Sequence, residues 1–278
     1  MGRAITRFES RPELPGTIRF QTQVAMPHPW LSLAPTSSRS WRRARATTSA
    51  REAELKLIAL GAQVAVSTRK WAALNPKARN REPLTVKDVL DSRPVVWPFN
   101  ILNICLVTDA GGAVVLTRAD RAKDCAKKPV YVRGAGEGSE HVMLTQMRNL
   151  TFSEATRKSG EKAFAMAGVK GTEFDHIMLY DAFTSGPPLM LEALGLAKRG
   201  EGVHFFAEGR STPGGKLPIN TNGGGLSYTH SGMYGIFPII EATRQLRGEC
   251  GPRQVPNTKL SLVNGMGGML SAAGTLVL

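Results

Sequence analysis

A histidine and three tyrosines in this sequence have the types and spacing needed for proton transfer. Tyr228, His230 and Tyr234 follow a run of three glycines and precede a predicted helix. Tyr180 opens a second polar cluster, Tyr-Asp-Ala-Phe-Thr, at the end of an apolar run. Because imidazole and phenol groups can accept and donate protons, we interpret Tyr180, Tyr228, His230 and Tyr234 as the candidate catalytic residues.

Two glycine-rich segments accompany these side chains. Glycine has no Cβ atom, so the chain can turn sharply there and a ligand can approach the main chain closely. We predict that the substrate is bound at Gly223, Gly224, Gly225, Gly267 and Gly268. A glycine-rich turn with a purely structural role is the alternative.

The chain has 278 residues and a formal net charge of +14. Many of its arginines lie in the first fifth, which is also rich in Ser, Thr and Pro. Such composition favours disorder, so residues 1–60 are predicted to form a loosely attached arm. No recognition motif accompanies the arm, and we expect no specific nucleic-acid partner.

Composition also limits the class of protein. No apolar run approaches the roughly 18 residues that a membrane span requires. The three cysteines show neither metal-ligand spacing nor a disulfide framework. We therefore expect a soluble, cytoplasmic protein without a metal site.

The hydrophobic pattern predicts alternating strands and helices, and hence an α/β fold with a mixed sheet covered by helices. The clearest helix is 152–169, with Ser153 as its N-cap and Gly168 as its stop. Further strands are predicted within 103–118, 128–138, 174–184 and 258–278, and further helices within 53–75, 83–94, 188–195 and 236–248. The turns that carry Tyr180 and His230 are expected to share one rim of the sheet.

These motifs resemble the thiolase-fold proteins of the sterol-carrier-protein or lipid-transfer type. The resemblance covers about three quarters of the chain and rests on VTDAGGAVVLT (107–117), YDAFT (180–184), EGRSTPGGKLPINTNGGGLSYTHSG (208–232), EATRQLRG (241–248) and NGMGGM (264–269). It implies a thiolase fold with a complete C-terminal half at 128–278. Residues 61–127 would be a remnant of the loop region and N-terminal half.

Departures from the family pattern change the expected chemistry. The resemblance implies that the family's nucleophilic cysteine lies upstream of every matched residue, so Cys105 and Cys125 are expected to be structural. The family's His-Asp-Cys-Phe turn is Tyr180-Asp181-Ala182-Phe183 here, and its Gly-His-Pro is Thr229-His230-Ser231. Thiolysis is therefore not expected.

The resemblance implies instead a retro-aldol cleavage of a β-hydroxyacyl-CoA, with coenzyme A entering only as part of the thioester substrate. Tyr180 or Tyr228 would take the hydroxyl proton, and His230 would stabilise the thioester oxygen and lower the phenol pKa. The expected partners are a second copy of the chain and a protein with a zinc ribbon and an OB-fold domain. The alternatives are a truncated, non-catalytic thiolase-like subunit and a lipid-transfer or acetyl-CoA acetyltransferase-type protein.

Overall fold

The structure is a computed structural model that describes residues 48–268 and 270–278. Most of the predicted arm thus lies outside the described residues, and helix α1 crosses the boundary placed at residue 60. The helices are α1 (Thr48–Ala73), α2 (Val86–Asp91), α3 (Glu154–Ala167), α4 (Gly186–Ala193), α5 (His204–Ala207) and α6 (Ile236–Arg247). The strands are β1 (Pro94–Val96), β2 (Phe99–Asn100), β3 (Gly134–Ser139), β4 (His176–Leu179), β5 (Ser261–Gly267) and β6 (Ala272–Val277).

Helix ends follow local chemistry, as the sequence predicted. The Ser153 hydroxyl caps α3 by accepting a hydrogen bond from the Thr156 N–H at 3.1 Å. Gly168 ends the same helix in the left-handed region, at φ +66°. Thr85 and Asp88 form a reciprocal capping box at the start of α2.

Strands β3 to β6 form one mixed sheet in the order β3-β6-β5-β4. The β3/β6 and β6/β5 pairs are antiparallel, whereas β4 and β5 are parallel. Every residue of β4 is buried, as expected for a strand covered on both faces. The predicted α/β class with a mixed sheet and covering helices is confirmed.

The two faces of the sheet support separate hydrophobic clusters. One contains Ile177, Leu179 and Leu262 and extends to residues of α1, α3 and α4. The other contains Met178 and Val263 and packs against α6. Each fully buried aliphatic side chain of this kind contributes roughly 1.5–3 kcal/mol. Alternate residues of β4 and β5 pack into opposite clusters, so this alternation fixes the register of the two strands. The register in turn determines where the residues that follow these strands lie.

Strand β3 starts further along the chain than predicted, at Gly134. Its glycines are required because the strand packs closely against the main chain of α3. A Cβ atom on Gly134 or Gly138 would overlap a carbonyl oxygen of α3, that of Ala163 or Ala155 respectively. On Gly136 it would overlap the Ser159 carbonyl. Alternate strand residues face the helix, and residues four apart on the helix face the strand. The β-branched segment 128–133 lies outside the strand.

Gly136→Ala should destabilise the protein, because the obstructing atom belongs to the helix main chain and cannot rotate away. We expect a loss of about 3 kcal/mol in the free energy of unfolding, measured in urea, at the upper end for overpacking. Gly274→Ala is the matched control, since it lies on β6 with nothing within 4 Å of the added Cβ. Equal stability of the two variants would contradict the close approach of β3 and α3.

The two strands predicted within 103–118 are absent from the described structure, and this prediction is wrong. Ile104 makes one isolated bridge to Phe183, and residues 105–118 have no regular secondary structure. Residues 109–118 are exposed. Val107 is 98% exposed and Val115 is 90% exposed. β-branched residues favour a strand only where a neighbouring strand offers its main chain. The predicted helix start forms a short 3₁₀ helix, Ala119–Asp124.

None of the helices in the described part of the chain is both long enough and apolar enough to cross a membrane.

Candidate active site

The candidate site lies at the sheet edge where the parallel strands β4 and β5 end. Leu179 pairs with Asn264, so the residues that follow both strands emerge at this edge. The Tyr180 N–H donates to the Asn264 carbonyl at 3.1 Å. Gly267 and Gly268 lie at the end of β5 and are exposed there. In α/β sheets, ligands commonly bind at the carboxyl ends of parallel strands.

His230 reaches the same edge after a single π-helical turn, Gly224–Tyr228. Thr108 holds the residues beyond that turn: its hydroxyl oxygen accepts a hydrogen bond from the His230 N–H at 2.9 Å and lies 2.7 Å from the Thr229 hydroxyl. Thr108 belongs to the segment 105–118, which has no regular secondary structure. It could not be selected from the sequence, because more than a hundred residues separate it from the histidine.

Tyr180 and His230 are directly hydrogen-bonded. The phenol oxygen lies 2.8 Å from His230 Nε2, and the two ring centroids are 5.5 Å apart. Both side chains are only partly buried, so the pair is open to solvent on one side. The expectation that the two turns meet at one rim is confirmed.

The pKa values of this pair differ from the sequence expectation. Burial, reinforced by Cys105 and Asp181, raises the pKa of Tyr180 to about 12. Burial also lowers the pKa of His230, and a hydrogen bond to its own main chain opposes this only partly. His230 therefore does not lower the phenol pKa. At neutral pH the pair consists of a neutral phenol and a neutral imidazole.

Tyr234 is buried, and its ring contacts the rings of both Tyr180 and His230. It is 1% exposed, and its ring stacks on His230 with the centroids 5.8 Å apart and an interplanar angle of 22°. Its phenol donates a long hydrogen bond, 3.4 Å, to Asn222 Oδ1. Burial, followed by the charge of Asp181, raises the pKa of this phenol well above its usual value. In this position Tyr234 supports the imidazole from below.

Tyr228 is set apart from the Tyr180–His230 pair. Its ring meets Phe237 edge-on, with the centroids 6.0 Å apart, and its phenol has no hydrogen-bond partner among the described residues. Burial raises the pKa of this phenol. The structure thus brings three of the four predicted catalytic side chains into one cluster and leaves Tyr228 behind Phe237.

The glycines Gly223, Gly224 and Gly225 are buried between helix α1 and the carboxylate of Asp181. A Cβ atom on Gly224, which has φ +61°, would overlap the Asp181 carboxylate. Asp181 Oδ1 accepts a hydrogen bond from the Gly225 N–H at 2.6 Å. A Cβ on Gly223 would lie 2.7 Å from Ala72. In this geometry the three glycines make room for helix and carboxylate, whereas Gly267 and Gly268 are open to a ligand.

Asp181 is fully buried directly after Tyr180. Burial raises the pKa of its carboxyl group to about 7, although the hydrogen bonds from the Gly225 and Leu226 amides lower it. Asp181 was not among the residues predicted for the site. The three glycines were the available signal, because a glycine with φ > 0 leaves space that a neighbouring polar group can occupy.

Cys105 lies against the turn that follows Tyr180. Its N–H donates to the Ala182 carbonyl at 2.8 Å. Burial, reinforced by the charge of Asp181, raises the pKa of its thiol to about 11. Such a thiol is almost wholly protonated at neutral pH and is a poor nucleophile.

A buried polar network holds the chain just before the glycines. Thr221 donates to Glu241 Oε1 at 2.8 Å and lies 3.0 Å from His176 Nε2. Arg253 pairs with both oxygens of Glu241, at 3.0 and 3.1 Å. Burial alone would raise the pKa of Glu241, but the hydrogen bonds and charge of Arg253 outweigh it and leave that pKa lowered. The network ties the loop at Thr221 to α6 and β4.

Comparison with known proteins shows the family to which this chain belongs. Residues 136–278 match the family described as thiolase C-terminal domain-like. That range includes both turns, the glycines and α6. The chain belongs to the thiolase family.

Similarity to individual thiolase-family members extends over most of the chain. It is 33% identical over 208 residues to an acetyl-CoA acetyltransferase of Methanothermobacter thermautotrophicus, covering 74% of this chain and 54% of that protein. It is 38% identical over 191 residues to a steroid side-chain-cleaving aldolase of Thermomonospora curvata, covering 67% and 48%. The chain spans about half the length of the curated relatives it matches.

A solved structure shares this thiolase-family fold. The Ltp2-ChsH2(DUF35) aldolase superposes with a TM-score of 0.74 at 32% identity, covering 79% of this chain and 58% of that one. Both the sterol-carrier-type resemblance and the fold expected from it are confirmed.

Proposed function

We propose that this thiolase-family chain cleaves a β-hydroxyacyl-CoA by a retro-aldol reaction. The hydrogen bond between Tyr180 and His230 carries the proposal, because it couples a solvent-accessible phenol to a neutral imidazole. Retro-aldol cleavage requires the removal of a hydroxyl proton and needs no covalent intermediate. A phenol backed by a base is suited to that step.

The proton path follows from the pKa values. A phenol with a pKa of about 12 is a poor base by itself. Tyr180 can nevertheless accept the hydroxyl proton of the substrate while it passes its own proton to Nε2 of His230. The neutral imidazole is the base that holds the proton. In this scheme His230 stands behind Tyr180, a change from the expectation that it contacts the thioester.

The cleavage step produces a ketone and an enolate. Loss of the hydroxyl proton turns the β-carbon into a ketone as the Cα–Cβ bond breaks. The electron pair moves to Cα and the thioester carbonyl, giving an enolate that takes up a proton at Cα. The main-chain amide of Gly268, an exposed residue at the same edge, is assigned to the thioester oxygen, since an amide donor stabilises such an oxyanion. The Gly267 N–H is already paired with Ala272 in the sheet.

The cysteines argue against the acyl-transfer chemistry of the acetyltransferase relative. A thiolate is the nucleophile in that chemistry. Burial raises the pKa of Cys250 to about 12, and that residue is 2% exposed. Cys105 has a pKa of about 11. Cys125 is exposed on the 3₁₀ helix region, away from Tyr180 in the chain and without a described link to it.

A partner subunit is part of the proposal. The structural neighbour is an assembly of an Ltp2 chain with a DUF35 chain. We infer that this chain also acts with a protein of that class, and that it forms a homodimer.

The test is to supply the chain, with and without a DUF35-class protein, with a β-hydroxyacyl-CoA that carries a tertiary alcohol. Mass spectrometry should detect a ketone and a shortened acyl-CoA in equal amounts. Incubation with acetyl-CoA should leave the intact mass unchanged. Stoichiometric acylation of Cys105 or Cys125 would replace this proposal with a thiolase. Absence of cleavage in both mixtures would favour a non-catalytic subunit.

A further inference from the structure

The buried carboxyl group of Asp181 links the two turns that carry Tyr180 and His230. Asp181 follows Tyr180 directly in the chain and is fully buried. Its Oδ1 accepts a hydrogen bond from the Gly225 N–H at 2.6 Å, and its Oδ2 accepts a longer one, 3.4 Å, from the next amide. Both amides belong to the π-helical turn Gly224–Tyr228, which ends two residues before His230. One side chain thus joins the turn of Tyr180 to the turn that leads to His230.

The main chain of the π-helical turn is shaped to admit this carboxyl group. Gly224 has φ +61°, and a Cβ atom there would lie 2.0 Å from Asp181 Oδ2. A Cβ atom on Gly225 would lie 3.3 Å from Asp181 Oδ1 and 3.0 Å from His230 Cδ2. Because that one atom would contact both groups, the carboxyl group and the edge of the imidazole ring lie close to each other.

The hydrogen bond between Tyr180 and His230 tolerates little displacement. The phenol oxygen and Nε2 are 2.8 Å apart, and a hydrogen bond is lost beyond about 3.5 Å. A shift of His230 by about 1 Å would therefore break the bond, and a misplacement of that size can lower a reaction rate about 10²-fold. A group that holds the two turns together can thus control the rate without contacting the substrate.

We propose that Asp181 is a positioning residue for the cleavage reaction, an inference that rests on the proposed proton path through Tyr180 and His230. By accepting the hydrogen bond from the Gly225 N–H, it holds His230 opposite Tyr180. The acceptor oxygen performs this role, and the negative charge is not required for it. Because Asp181 is fully buried, it acts through His230 and not on the substrate.

The experiment compares Asp181→Asn, which keeps an acceptor oxygen for the Gly225 amide, with Asp181→Ala, which has none. The maximal single-turnover cleavage rate, with the partner protein present, should fall about 10²-fold in Asp181→Ala. It should stay within about threefold of wild type in Asp181→Asn, with the acidic limb of the pH profile unchanged. The substrate concentration that gives half the maximal rate should be the same in all three proteins, since only the positioning of the proton path changes.

A measurement without substrate isolates the geometry. In protein labelled with ¹⁵N at histidine, the Nε2 resonance of His230 reports the hydrogen bond from Tyr180. Tyr180→Phe gives the value for the broken bond, and His230→Gln identifies the resonance among the five histidines. Asp181→Ala should take the Tyr180→Phe value, whereas Asp181→Asn should keep the wild-type value.

Gly225→Ala tests the same contact from the π-helical turn, and it decides the proposal if thermal melting shows that Asp181→Ala is unfolded. The added Cβ would press on both Asp181 and His230, so the imidazole must shift. We expect the cleavage rate to fall about tenfold and the Nε2 resonance to move towards the Tyr180→Phe value. Gly274→Ala, with nothing within 4 Å of its added Cβ, is the control and should change neither.

Three results would overturn the proposal. The first is a wild-type cleavage rate and a wild-type Nε2 resonance in folded Asp181→Ala, and the second is the same pair of results in Gly225→Ala. The third is an equal loss in Asp181→Ala and Asp181→Asn, which would assign the effect to charge. Absence of cleavage by the wild type discards the aldolase reaction, and the Nε2 resonance then tests the positioning role by itself.

Discussion

Tyr180→Phe should lower the rate of retro-aldol cleavage by about 10²–10⁴-fold, the usual scale for a general acid/base group. The variant keeps the ring, and hence the contacts with His230 and Tyr234. It loses only the hydroxyl that joins substrate and imidazole. The measurement is single-turnover cleavage of the tertiary β-hydroxyacyl-CoA with the partner protein present.

Tyr131→Phe is the matched control, because this tyrosine is 54% exposed and lies outside the site. It should cleave at the wild-type rate. The imidazole adds a second readout: the wild-type rate should fall only as the pH drops below the ordinary histidine value of 6.5, since burial lowers the pKa of His230. His230→Gln should remove that acidic limb. A full cleavage rate in Tyr180→Phe would eliminate the proposed proton path.

Asp181→Asn should change how protein stability depends on pH. The folded-state pKa of Asp181 is raised from 3.8 to about 7. Its protonated form therefore adds stability that is complete below pH 3.8 and is lost as the pH rises through about 7. The shift corresponds to roughly 4 kcal/mol at 1.36 kcal/mol per pKa unit. An asparagine keeps an oxygen for the Gly225 amide and cannot ionise.

The measurement is urea unfolding of wild type and variant at several values between pH 4 and pH 8. The difference in unfolding free energy should move in favour of the variant by that amount as the pH rises. Asp124→Asn, on the exposed 3₁₀ helix, should show no such change relative to wild type. His176, with its pKa lowered to about 4, gives the opposite slope but is common to all three proteins. A constant difference across the range would contradict the buried, raised carboxyl.

Much of this fold is encoded locally and could be predicted. Ser153 and Gly168 determine the ends of α3, because capping and left-handed backbone depend on neighbours in sequence. The absence of strands within 103–118 could not be predicted from local signals of this kind. A strand depends on a partner that local sequence does not specify, and here no neighbouring strand pairs with the segment in the described structure. The offset of β3 has the same origin, since only contact with α3 reveals why Gly136 is needed.

The site was predictable where it follows from strand ends. Tyr180 and His230 were both expected at one rim, and they form a hydrogen bond there. Only Tyr180 follows a strand, however, because the residues before His230 form a π-helical turn. Asp181 and Thr108 were missed as supporting groups, because their contacts depend on packing between distant segments. The pKa values of the site residues could not be predicted from the sequence either. Burial, which raises the Tyr180 pKa, is a property of the folded environment and not of residue type.

The network behind the glycines has a directional consequence. A hydroxyl has one proton, and that of Thr221 is donated to Glu241. Its oxygen can therefore only accept from His176, which must carry its proton on Nε2 and receive the Ser261 hydroxyl at Nδ1, 2.8 Å away. From Ser261 through His176 and Thr221 to Glu241, every donor points the same way. The loop that leads to His230 thus begins at a chain of hydrogen bonds in which only one arrangement of the protons is possible. The fold therefore determines the tautomer of His176.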